Sequence, residues 1–109
     1  MTVSAVKIEI AVDMLRDCLR CGAVQNGKHF REELTNEGLT FPDAYHVLKT
    51  GQIYKPPEHD IRKGEWKYSI EGHTADGIWL VVVFSFKQVD RAYLITVFSV
   101  KAKNRRGAE

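Results

Sequence analysis

The chain has 109 residues, 44% of them hydrophobic and 28% charged, and its formal net charge is +2. This length suits one domain (1–109) that buries a core without disulfide or metal staples, and the composition excludes a disordered chain. So small a net charge excludes a molecule held to nucleic acid by bulk electrostatics alone. The cationic density is local, with Lys101, Lys103, Arg105 and Arg106 in the tail 101–109. Such a tail either frays in solvent or holds phosphates.

The N-terminus lacks a basic stretch followed by an apolar run and a small-residue cleavage site, so a cytoplasmic chain is expected. The longest apolar run, 78–84, is far short of the ~20 residues of a membrane helix. Residues 5–21 predict a helix, because Ile8, Ala11, Leu15, Cys18 and Leu19 recur at three- and four-residue steps. Gly22 is its natural stop. Residues 6–10 also alternate, which leaves an extended alternative for the first turn. Cys18 and Cys21 form Cys-x-x-Cys, but no second pair completes a structural zinc site. The pair closes a helical pattern, where a thioredoxin-like motif would open one, so buried, reduced thiols are expected. Residues 23–27 form a connector with room for a bridge or short strand.

Residues 28–37 predict a second, short helix, with Phe30 and Leu34 on one face and Gly38 ending it. Thr40 caps a third helix up to Gly51: its hydroxyl can accept from the Asp43 amide, Pro42 suits the first turn, and Asp43 complements the dipole. Phe41, Ala44, Tyr45 and Leu48 form its buried stripe. Residues 54–64 contain Pro56 and Pro57 and read as a loop, with an edge strand at 53–55. Residues 66–72 alternate, sending Trp66, Tyr68 and Ile70 one way and Lys67, Ser69 and Glu71 the other. After a turn at 73–77, residues 78–86 are apolar on both faces, as in a central strand. A tight turn at 88–91 leads to the last strand, 92–100, rich in β-branched and aromatic residues. Helices followed by strands predict an α+β fold: helices (about 5–51) on one face of a twisted antiparallel sheet of three to four strands (about 53–100), the other face open as a cleft.

His29 and Glu33 are four apart and share a helix face, so the carboxylate can orient the ring for general acid–base chemistry. The bland alternative is a helix-opening histidine with a solvated partner. Arg31 points elsewhere along that helix. Lys67 can hold a phosphate on its strand face, with Ser69 and Glu71 beside it, or simply face solvent. Thr96 and Phe98 are placed on one face of the last strand with Leu94. Trp66 and Tyr68 can stack on bases, and packing into the core explains them equally well. His46, His59 and His73 lack metal-ligand spacing, and there is no phosphate-cradling glycine loop or nucleophile elbow. Neither a metal nor an organic cofactor is expected.

One ordered series carries a family likeness: Lys28-His29-Phe30-Arg31-Glu32-Glu33-Leu34, Gly38-Leu39-Thr40, Asp43, Val47-Leu48-Lys49-Thr50-Gly51, Trp66-Lys67-Tyr68-Ser69-Ile70-Glu71-Gly72 and Leu94-Ile95-Thr96-Val97-Phe98. It resembles the domain of unknown function 4258 family, over about 12–100. Members resemble the RelE-like and barnase-like small ribonucleases, and many are regarded as candidate toxins of bacterial toxin–antitoxin pairs. Some neighbour an antitoxin with a zinc finger and a helix-turn-helix.

The resemblance implies a RelE-like, cytoplasmic, metal-independent endoribonuclease. His29 would be acid or base, oriented by Glu33, with Arg31 and Lys67 stabilising the phosphorane. Tyr68, Thr96 and Glu71 would bind substrate. Its partners would be RNA, free or ribosome-bound, and a cognate antitoxin, with no membrane. Many members carry an arginine four residues after the histidine, where this chain has Glu33. That departure motivates an alternative: a non-catalytic protein-binding module of the same fold. The nuclease reading requires His29, Arg31 and Lys67 to converge on one concave patch.

Overall fold

Three stretches become helices because each gathers its apolar side chains on one face. A computed structural model of the chain describes residues 4–100. Helix α1 (Ile8–Arg20) buries Ala11, Leu15 and Cys18. Helix α2 (Lys28–Asn36) buries Phe30 and Leu34, and α3 (Phe41–Thr50) buries Ala44, Val47 and Leu48. The extended alternative for 6–10 is not adopted beyond Lys7. At the start of α3 the Asp43 amide donates to the Thr40 hydroxyl at 3.4 Å, and the Thr40 amide donates back to the Asp43 carboxylate at 2.9 Å. This reciprocal cap satisfies two backbone donors at once.

The strands are β1 (Val24–Asn26), β2 (Glu58–Asp60), β3 (Glu65–His73), β4 (Trp79–Gln88) and β5 (Arg91–Ser99). They form one five-stranded sheet in the order β1-β5-β4-β3-β2, with β1 parallel to β5 and the other pairs antiparallel. The fold is α+β, and the expected antiparallel sheet of three to four strands is corrected to a mixed sheet of five. The edge strand also moves, from 53–55 to Glu58–Asp60, while Gln52 makes an isolated bridge to Glu71. Pro56 and Pro57 have no N–H to give a ladder, so regular pairing begins only after them.

Tyr68, Ile70, Leu80, Val82, Phe84, Phe86, Ala92, Leu94 and Val97 turn one sheet face into a core shared with the three helices. Among the described residues, no helix covers the opposite face. Strict alternation would put Leu94, Thr96 and Phe98 together, and the structure corrects this. Leu94 pairs with Phe84 and Thr96 with Val83, so Ile95 is the extra residue of a bulge. Leu94 and Val97 therefore both enter the core although they are three apart, while Thr96 and Phe98 face the other way.

Gly51 is not a left-handed stop, since its φ is −76°. It is there because α3 lands on β3: a Cβ at 51 would lie 2.5 Å from the Glu71 carbonyl oxygen and 2.7 Å from that of Val47. Of the two thiols, Cys18 is buried, and its burial pushes the thiol pKa up. Cys21 caps α1 in solvent, so the expectation of two buried thiols holds for one of them. The basic tail 101–109 lies outside the described residues.

Candidate functional site

The chain leaves β1 at Asn26 and enters α2 through Gly27, an extended N-cap with no side chain to cap the helix. The first helical bond is the Arg31 amide to the Gly27 carbonyl at 3.2 Å. The amides of Lys28, His29 and Phe30 come before it and carry the positive end of the helix dipole. Arg31 folds back, donating to the Asn26 carbonyl at 3.3 Å and to Asn26 Oδ1 at 3.2 Å. His29 stands exposed in the first turn, with half-buried Glu33 on the next. No hydrogen bond or ion pair joins these two among the described residues.

A residue the sequence reading passed over reaches this helix end. Tyr93 sits in β5 between Ala92 and Leu94, both fully buried in the core, so its own side chain takes the uncovered face. Its hydroxyl arrives at Gly27, where any Cβ would fall upon it. Glycine at 27 is thus a matter of close approach. Lys87 lies 4.9 Å from the centre of the Tyr93 ring and pairs with Glu65 at 3.0 Å. Tyr93 was legible from alternation, since its neighbours are plainly core residues. Lys87 was not, because a second register shift, between Phe86 and Gln88, sets where it points.

The predicted set divides. Lys67 does face away from the helices, but it pairs with Asp60 of β2 at 3.1 Å. Strands β5 and β4 separate β3 from β1, which puts about 14 Å between the outer two backbones. Arg31 is tied to one edge of the sheet and Lys67 toward the other, so the two cations do not share a patch. Tyr68, expected to bind substrate or to pack in the core, lies in the core. It is 1% exposed, its ring stacks on Phe84 at 5.5 Å, and its hydroxyl accepts from the Val6 amide at 3.0 Å. Burial holds the phenol pKa above its ordinary value. Glu71 does lie on the uncovered face, but it is 5% exposed and accepts from the Trp79 indole at 3.1 Å. Thr96 lies on that face, half-buried, opposite Val83.

Two expected results follow from these contacts. Tyr68→Phe removes the partner of the Val6 amide and should cost about 1 kcal/mol, read by urea unfolding, with loss of the Val6 amide's exchange protection. An unchanged stability would mean the N-terminal segment is held otherwise. The second concerns Asp60, whose pKa is lowered first by the hydrogen bond from Lys67 and then by the Lys63 amide. A depressed folded value means the contribution is present above the unfolded pKa, about 3.9, and is lost as pH falls through the lower folded value. Asp60→Asn should flatten the acid limb of a Tm-versus-pH series between pH ~2 and ~5. The same limb in both proteins would remove Asp60 from that account.

The sequence from the α2 N-cap through the last strand, residues 27–99, matches the family described as "Domain of unknown function (DUF4258)". The chain belongs to the DUF4258 family. Comparison with curated proteins and with solved structures gives no match. The DUF4258 region contains every residue of the candidate site except Asn26, and α1 and β1 precede it. Among the described residues, no helix is long and apolar enough to cross a membrane, and no cluster of histidine, cysteine or carboxylate side chains is placed to hold a metal ion.

Proposed function

We propose that this DUF4258 protein is a metal-independent endoribonuclease of the toxin type, acting at the N-terminus of α2. The observation that supports the reading is the exposed His29 in the first turn of α2, whose N-cap, Gly27, has the Tyr93 hydroxyl against it and no side-chain cap over the first helix amides; Arg31 is held on Asn26, just before that N-cap. A phosphodiester suits that end of a helix because its charge meets backbone donors and the positive end of the dipole. The 2′-hydroxyl of RNA attacks the adjacent phosphorus, and the bond to the 5′-oxygen breaks. The products are a 2′,3′-cyclic phosphate and a 5′-hydroxyl. His29 takes the proton from the 2′-hydroxyl, and water or the Tyr93 hydroxyl protonates the leaving oxygen; Glu33, one turn along α2, is not bonded to the ring in the structure and would orient it only on binding of RNA. Arg31 and the amides offset the charge that builds on the phosphorane oxygens. Thr96 lies on the sheet face along which the rest of the strand would run. Lys67, set apart from His29, stabilises no phosphorane in this scheme, and Tyr68 and Glu71 bind no substrate.

The test is purified protein on total RNA and on translating ribosomes, with and without chelator, and mapping of the new ends. Cyclic phosphate ends that persist in chelator support the proposal. No cleavage of either substrate, together with harmless overexpression in a bacterial host, would overturn it. In this reading the protein partner is a cognate antitoxin.

Two observations favour the second reading, a non-catalytic protein-binding module: Arg31 and Lys67 do not converge on one patch, as the nuclease reading required, and the lysines of the sheet face are neutralised. Lys67 and Lys87 are each paired with a carboxylate, which lowers their pull on RNA. That reading predicts a tight stoichiometric protein partner whose binding does not depend on His29.

A further inference from the structure

The uncovered sheet face contains a polar group with no partner among the described residues. Ser85 is 0% exposed, and its hydroxyl makes no hydrogen bond among the described residues. It sits on β4 between Phe84 and Phe86, both core residues, and so takes the opposite face. Its cross-strand partner is Tyr93. Lys67 precedes Tyr68, which pairs with Phe84, and therefore flanks Ser85 from β3. Lys87, two residues along β4, reaches over the Tyr93 ring. A buried hydroxyl without a partner is destabilising, and alanine would serve the fold better at this position.

We propose that Ser85, Lys87, Tyr93 and Lys67 form a phosphodiester subsite on the uncovered face, which holds the RNA backbone beside the scissile phosphate. This rests on the reading of the chain as a protein that acts on RNA. The chemistry of the cluster selects an anion. Its free polar groups are donors: each ammonium has three N–H bonds and uses one on its carboxylate, and the Tyr93 hydroxyl can donate as well, while the Ser85 hydroxyl, closed off from solvent, donates only once a ligand displaces the side chains over it. Glu65, itself 6% exposed, and Asp60 position the two lysines and are already paired. The ammonium groups disfavour a metal cation. A partner strand cannot add here, because Ser85 lies on β4, which is paired on both sides. Tyr93 belongs to both places, with its ring under Lys87 and its hydroxyl at Gly27, so the subsite is continuous with the α2 N-terminus.

The experiment is fluorescence anisotropy of a 2′-O-methyl oligoribonucleotide, whose blocked nucleophile prevents cleavage, titrated with the full chain at several salt concentrations. Lys87→Gln keeps an amide donor for Glu65 and should weaken binding about tenfold, with a salt slope smaller by about 0.7. Ser85→Ala should weaken binding about threefold while raising Tm, a pairing that a purely structural serine does not produce. Lys49→Gln, an equal loss of charge on an exposed position at the end of α3, should bind as wild type does. Inorganic phosphate should compete at millimolar concentration. The proposal is overturned if wild type does not bind, if Lys87→Gln and Ser85→Ala bind like wild type, or if Lys49→Gln weakens binding as much as Lys87→Gln. Binding that depends on Lys87 without cleavage of all-ribose RNA would leave the subsite standing and sink the nuclease. Cleavage with binding indifferent to both variants would do the reverse.

Discussion

Replacing Gly51 with alanine should destabilise the protein by about 2–4 kcal/mol and lower Tm by about 10 °C or more. The physical reason is backbone against backbone. The added methyl would lie 2.5 Å from one carbonyl oxygen and 2.7 Å from another, and neither belongs to a side chain able to swing aside. Gly72 faces the same junction from β3, where a Cβ would meet the Gly51 Cα at 3.0 Å. The end of α3 would have to lift from the sheet, and Val47 and Leu48, both fully buried, would lift with it. Gly38 is the comparison. Its φ is 70°, with open space where a Cβ would go, so Gly38→Ala carries only conformational strain of about 1 kcal/mol. Equal losses for the two variants in chemical denaturation would show that close packing of α3 on β3 is not what position 51 is for.

His29→Ala should lower RNA cleavage by about 10²–10⁴-fold, the usual worth of a positioned acid or base, with Tm unchanged. The stability expectation follows from exposure: the His29 side chain is exposed and does not belong to the core cluster. Gly27→Ala gives an independent reading of the same site. Its methyl would fall on the Tyr93 hydroxyl and turn that ring out from beneath Lys87, so cleavage should fall while α2 persists. Activity that survives in both variants would move the chemistry away from the α2 N-terminus. A variant that loses activity and Tm together would show only that the helix had come loose, and circular dichroism of each protein separates the cases.

The residues of α3 illustrate what could be read in advance. Thr40, Pro42 and Asp43 announce the start of that helix through contacts within three residues, and helical spacing marks Ala44 and Leu48 as buried, but Phe41, expected in the same stripe, is exposed, Tyr45 is half-buried, and Val47 takes the core place. The split between Tyr68 and Lys67 was legible as well, because a strand without a bulge must send neighbours to opposite faces. Alternation failed at Ile95, where one extra residue opposes Val83–Phe84 and reverses which side chains face the core from Leu94 onward. Bulges answer to the curvature of the paired strand, and nothing in Leu94-Ile95-Thr96 announces one.

The candidate site divides along the same line. His29 and Arg31 were visible because a short, periodic helix follows a glycine. Lys67 was visible as a cation on an exposed strand face, but its distance from Arg31 was not.

By itself, then, the sequence determined the three helices, the N-terminal cap of α3, the α+β class and the two faces of β3, since each depends on interactions between residues close along the chain. Only the tertiary structure decided the parallel seat of β1 on β5, the glycine contact between α3 and β3, the bulge, and the union of Tyr93 with the start of α2. Those features join residues far apart in sequence, and their geometry is set by sheet order and register, which local propensity does not specify.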